Sequence, residues 1–274
     1  MKLTVASIAY SVGGSRSLDG FLGRIGKQIH EATQRGAELV VLPELAILDA
    51  LGKNYAGTTQ KMVDVLADWA DDYVGYLQDL SRALGVTIVG GSHLERREQG
   101  IVNTCAVVRE GAAEFVDKHI LTQWEATEWG LIPGDAPRAI DGVGVAVCYD
   151  SEFPELIRPI AHAEARILAV PSYTETRHGF QRVRWSCQAR AIENQVFVIQ
   201  AALVGSLGGE PVPSTYGQSG ILTPSVPPFP ASAVLAQTPL NRPGIAVATL
   251  DFDALEASRN SGDVRNWNDY ISRF

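Results

Sequence analysis

The sequence predicts an α/β fold built on a largely parallel sheet. Three short runs, Leu39 to Leu42, Val86 to Val89 and Val143 to Val147, are rich in apolar, largely β-branched residues and carry no charge, as strands buried on both faces require. Between the first strand and the second, Leu18, Phe21, Ile25, Ile29 and Ala32 recur every three or four residues and place one apolar stripe on a helix ending near Gly36. Strand, helix and strand in that order form a right-handed βαβ unit, the building block of parallel sheets.

The chain has 274 residues, with 23 Lys+Arg against 31 Asp+Glu and a net charge of -8. That length suffices for a stable core, and no internal linker divides it, so one domain over 1-274 is expected. The acidic balance disfavours nucleic acid and anionic membrane as partners. No apolar run approaches the roughly 18 residues that span a bilayer, and Leu3 to Val12, interrupted by Ser7, Tyr10 and Ser11, reads as a first strand rather than a signal peptide. The cysteines at 105, 148 and 187 form no CxxC pair and no metal spacing. This argues against a disulfide framework and a structural zinc site, and suits a reducing cytosol.

The strand at Leu39 to Leu42 ends at Pro43, and Glu44 follows at its C-terminal rim, where a carboxylate loses water and its pKa rises toward that of a base. It equally suits a helix cap or a partner for a surface cation. Asp49 to Thr59 reads as a pocket-lining loop, and Met62 to Leu84 as one long helix with Val63, Leu66, Ala70, Val74 and Leu77 on its apolar side. Gly90-Gly91-Ser92-His93 reads as a tight turn leaving the third strand. Asn103 to Val108 and Ala113 to Val116 flank Glu110-Gly111 as a hairpin. It delivers Lys118 into a long tryptophan-bearing segment, Ile120 to Asp135, of a length that usually builds a site.

The strand at Val143 to Val147 places Cys148 at a second C-terminal rim, before a helix opened by Pro154. Ligands of open α/β sheets bind at that rim, and the helix N-terminus would favour thiolate there. A lone Cys after a valine run is otherwise a small buried hydrophobe. Further elements are a helix from Glu155 to Ala165, a strand at Ile167 to Val170, the rim loop Pro171 to Thr174 and a helix from His178 to Asn194. Its Cys187 reads as packing, and its Arg190 and Glu193 as an ion pair that holds neighbouring loops. Strands follow at Val196 to Ala201, Gly217 to Leu222, Ala233 to Leu235 and Ile245 to Leu250. The polar tail from about 260 offers Trp267 and Tyr270 as anchors on a partner subunit.

Glu44, Lys118 and Cys148 thus leave three separate strands. A thiol nucleophile needs a base and a positive or N–H donor for the oxyanion, and glutamate and lysine supply both. The motifs Val41-Leu42-Pro43-Glu44, Asp117-Lys118-His119, Val147-Cys148-Tyr149-Asp150 with Phe153-Pro154-Glu155, and Arg190 to Asn194 occur in the order of the nitrilase superfamily of carbon–nitrogen hydrolases, which the chain resembles over nearly its whole length. The resemblance implies a four-layer α-β-β-α sandwich with Glu44 as general base, Lys118 as oxyanion stabiliser and Cys148 as nucleophile, the Tyr149 N–H completing the oxyanion site. It implies no cofactor, a small amide or N-carbamoyl substrate with release of ammonia or an amine, and at least a homodimer through the face bearing Pro154 to Ala165. It also places a second glutamate before the Pro133-Gly134 turn, for which Glu128 is preferred to Glu125.

The tryptophans at 124 and 129 and the Tyr173 loop are expected to wall the pocket, and aromatic walls favour a small substrate with an apolar part. Three other readings compete. A true nitrilase shares every catalytic residue. A catalytically idle binding protein would lack one of them. A Cys–His protease would draw on His93, His119 or His178.

Overall fold

In the computed structural model, which describes residues 1–163 and 165–273, the chain folds as two six-stranded sheets packed face to face with helices on both outer sides. The first half runs β1 (Lys2–Val12), α1 (Leu18–Gln34), β2 (Leu39–Val41), α2 (Thr59–Asp68), α3 (Ala70–Leu84), β3 (Thr87–Arg97), β4 (Gly100–Arg109), β5 (Ala112–Asp117) and α4 (Gln123–Thr127). The second runs β6 (Ala139–Ile140), β7 (Val143–Val145), α5 (Pro154–His162), β8 (Ile167–Ser172), α6 (Arg177–Asn194) and β9 (Phe197–Gly205). It closes with β10 (Gly220–Leu222), β11 (Val234–Gln237), β12 (Gly244–Asp251), α7 (Phe252–Ser261) and α8 (Asn266–Ile271).

One sheet has the order β5-β4-β3-β2-β1-β12 and the other β6-β7-β8-β9-β10-β11. They join where the end of β1 pairs in parallel with the end of β9, Tyr10 opposite Leu203. Strand alternation separates the layers. Val5, Leu39, Val41, Val89, Cys105 and Val107 point between the sheets and pack with residues of β7, β8 and β9. Ala6, Ile8, Val40, Leu42 and Ile88 point outward and pack with Phe21 and Ile25 of α1 and Tyr73 and Leu77 of α3. Val183 and Cys187 of α6 and Ile157 and Ile160 of α5 cover the second sheet, which completes the α-β-β-α arrangement. Among the described residues, no helix is long and apolar enough to cross a membrane.

Two expectations change. The long helix breaks at Trp69, whose backbone (φ -86, ψ -2) ends α2 and starts α3 while the apolar periodicity continues through it. Gly90-Gly91 is a bulge inside β3 rather than a turn, with the register shifting between Val89 and Ser92. Gly91 has φ 66, and a Cβ there would lie 2.1 Å from the Pro43 carbonyl oxygen, so glycine lets β3 approach the strand end that carries Glu44. Within the chain, the rings of Trp267 and Tyr270 in the tail lie 5.2 and 4.7 Å from that of His162 in α5. The expected end of α5 at Ala165 runs across residue 164, outside the described residues.

Candidate active site

Each reactive group sits where a strand ends on the same rim. Glu44 follows β2 and forms an isolated parallel bridge with Ser92, and Leu45 beyond it turns away with φ 53. Lys118 follows β5. That strand runs parallel to β3, because the hairpin at Glu110-Gly111 reverses β4, both turn residues having positive φ. Cys148 (φ 46) opens a 3₁₀ turn, Cys148–Glu152, directly after β7. Tyr173 follows β8.

The three predicted groups meet. Lys118 Nζ donates to Glu44 Oε1 at 2.7 Å, and the Cys148 thiol donates to the Tyr173 carbonyl at 3.5 Å. The backbone N–H of Tyr173 donates to Glu44 Oε2 at 2.8 Å, so one peptide segment aligns both base and sulfur. Glu44, Lys118 and Cys148 are each 5% exposed or less. The Tyr149 N–H lies in the first turn of the 3₁₀ segment, where helical N–H groups have no partner within the helix and point outward as donors.

The second glutamate beside Lys118 is Glu125, not the preferred Glu128. Glu125 Oε2 and Oε1 accept from Lys118 Nζ at 2.7 and 2.9 Å. Glu128 is exposed at the end of α4, and its carboxylate accepts from the Thr127 hydroxyl. The reason is local. Thr122 and Glu125 form a capping box at the start of α4, which turns Glu125 inward. The pattern Thr122-x-x-Glu125 was a legible signal for this.

Two further polar residues complete the cluster and were not singled out from the sequence. Asn103 Nδ2 donates to Glu125 Oε1 at 2.9 Å and to Glu44 Oε1 at 3.3 Å. Its signal was an amide inside an otherwise apolar strand. Asp150 accepts the N–H groups of Ile120 (2.7 Å) and His119 (3.2 Å), tying the Cys148 turn to the Lys118 loop. Arg190 clamps the same turn from α6, donating to the carbonyls of Ser151 (2.9 Å) and Glu152 (3.2 Å) while pairing with Glu193 at 2.6 Å.

Burial raises the Glu44 carboxyl above its ordinary range despite Lys118, which suits a base. Burial would lower the Lys118 ammonium, but Glu44 and Glu125 reverse this and keep it charged. Burial would raise Glu125, yet Lys118 and the donors around it hold it low. Burial raises Asp150 to about 6. Burial, followed by the Glu44 charge, lifts the Cys148 thiol well above its usual value, the opposite direction to the thiolate preference expected from a helix N-terminus.

These groups open into a cavity of about 370 Å³ walled by Trp124, Trp129, Tyr149 and Tyr173. Asp49 to Thr59 does not line it; Tyr55 and Gly57 to Thr59 line an adjoining space of about 80 Å³. A larger cleft of about 930 Å³ lies around the opposite strand ends, at Leu3, Leu39, Thr87 and Val143, and includes none of the reactive groups. His93 is packed between Tyr73 and Phe115, and His178 lies on α6; neither lines the reactive cavity. His119 Nδ1 lies 2.9 Å from the Gly134 carbonyl oxygen. Among the described residues, no cluster of His, Cys, Asp and Glu could hold a metal ion.

The profile of the family described as carbon–nitrogen hydrolase matches residues 4–260. The Bacillus subtilis protein described as "Probable hydrolase YhcX" is 30% identical over 271 residues, covering 97% of this chain but 53% of that protein. The chain therefore spans about half the length of that relative. Deaminated glutathione amidase of Rattus norvegicus is 30% identical over 255 residues, 84% of this chain and 72% of its own. Among solved structures, Nit3 of Saccharomyces cerevisiae, described as a member of branch 10 of the nitrilase superfamily, superposes with a TM-score of 0.76 at 26% identity, covering 95% of this chain and 94% of that one.

Proposed function

The chain belongs to the carbon–nitrogen hydrolase family of the nitrilase superfamily, and on that premise we propose that it is an amidase acting on a small amide or N-carbamoyl compound through a Cys148 thioester. The observation that carries this reading is the contact of one buried ammonium, Lys118, with two carboxylates beside a buried thiol.

Glu44 takes the Cys148 proton as sulfur attacks the carbonyl carbon, and the carbonyl electron pair moves to oxygen. Lys118 and the Tyr149 N–H hold that oxyanion. Protonation of Glu44 removes one of the charges gripping Lys118, which frees an N–H to turn toward the oxyanion at the moment it forms. On collapse the C–N bond breaks, Glu44 returns its proton to nitrogen, and ammonia or an amine leaves. Glu44 then deprotonates water, which attacks the thioester; the C–S bond breaks, and the proton returns to sulfur. Glu125 and Asn103 do not touch the substrate in this scheme and position Lys118 and Glu44.

Ammonia release from an aliphatic amide and from its cognate nitrile, assayed side by side, tests the reading. Turnover of the amide with a silent nitrile is expected; the reverse makes the protein a true nitrilase. The same reading carries a homodimer through the α5 face. Exposed Trp185 and Ile192 on neighbouring α6 support it, and a monomer by light scattering would overturn it.

A further inference from the structure

The cavity wall carries charges that the hydrolysis does not use. Besides the cluster around Lys118 it is lined by Glu152, Glu175 and Glu210, with Arg182 as the only added cation of the lining. Glu152 stands on the same 3₁₀ turn as Cys148, and Arg190 holds its carbonyl, so its place relative to the sulfur is fixed by backbone. Its side chain is 18% exposed, whereas that of Arg182, 3.5 Å away, is 60% exposed. That separation exceeds a good hydrogen bond, and so exposed a guanidinium is weakly held. Glu175 accepts from the Tyr173 hydroxyl at 2.8 Å, and the fields of Glu175 and Glu210 both reach that phenol.

Building on the amidase reading, we infer that the substrate carries a cationic group, an ammonium or guanidinium, on the end remote from its amide carbonyl, and that Glu152 determines this specificity. A largely buried carboxylate with one loose partner is an incomplete ion pair, and a substrate cation completes it at little cost in water already lost. An anionic tail would face the partly buried Glu152 and the exposed Glu175 and Glu210 of the same lining. The aromatic walls cover the methylenes between the two ends.

The experiment compares kcat/KM for δ-aminovaleramide, valeramide and glutaramate, and for the same trio at neighbouring chain lengths, with guanidino analogues as a further arm. The expected order is cationic above neutral above anionic, with a preference that shrinks as salt is raised. Glu152→Gln is expected to reduce the cationic-to-neutral ratio about tenfold or more, and Glu175→Gln and Glu210→Gln by less. Because the ratio is taken within one protein preparation, partial misfolding of a variant cancels. Equal or better turnover of the neutral or anionic amide overturns the inference, as does a ratio unmoved by Glu152→Gln. Absence of ammonia from every amide at every length overturns instead the amidase reading beneath it.

Discussion

The carboxylate of Glu125 both caps helix α4, accepting from the backbone N–H and hydroxyl of Thr122 at 2.9 and 2.8 Å, and grips the ammonium of Lys118 at 2.7 Å. The start of a five-residue helix and the charge state of the site are therefore set by the same side chain. Glu125→Gln is expected to lower kcat by about 100-fold, because Lys118 loses the anion that orients it, while Glu128→Gln stays within about twofold of wild type. Steady-state kinetics of the two variants on one amide decide between the two glutamates.

A thiol held well above its usual pKa reacts slowly with electrophiles that need free thiolate. The thiolate fraction grows only as pH rises toward the raised value. Inactivation by iodoacetamide should therefore keep accelerating beyond about pH 8.5, where an ordinary cysteine is half ionised. A rate that levels off below that pH would show that Cys148 is thiolate at rest.

Burial, with Arg97 adding to it, holds His93 down to about 4. Its folded pKa is depressed, so its contribution to stability is present above the unfolded value near 6.5 and is lost as pH falls toward 4. Denaturant melts at neutral pH and near pH 4 should show a loss of about 3 kcal/mol from this group, absent in His93→Phe, whose ring suits the neighbourhood of Tyr73 and Phe115.

Arg190 ties α6 to the Cys148 turn through two carbonyls and pairs with Glu193. Arg190→Ala leaves these acceptors without their charged donor and should cost about 2–3 kcal/mol in a denaturant melt. Arg190→Lys, lacking the planar fork, should recover only part of it.

The buried strands were legible because β2, β7 and Ile167 to Val170 of β8 are short apolar runs, and the rim where Glu44 and Cys148 meet followed from what stands directly after β2 and β7. The break at Trp69 was not, because Val63, Leu66, Ala70, Tyr73 and Leu77 keep one apolar face across it. The two glycines at 90 and 91 suit a turn and a bulge equally; only the approach of Pro43 decides. Lys118 and Glu44 could be placed from local context, whereas the role of Glu125 depends on a capping box of one helical turn in a segment with little other periodicity. The raised thiol comes from burial first and from the Glu44 charge second; Glu44 lies 104 positions from Cys148 in the chain (148 − 44), and neither cause leaves a local trace.

Ammonia release from a panel of small aliphatic amides, with wild type and Cys148→Ala side by side, tests the central claim most directly. In the proposed reaction buried Cys148, beside Glu44 and Lys118, forms the acyl-enzyme, so the variant should fall by about 1000-fold or more. Equal rates from the two proteins would contradict the account.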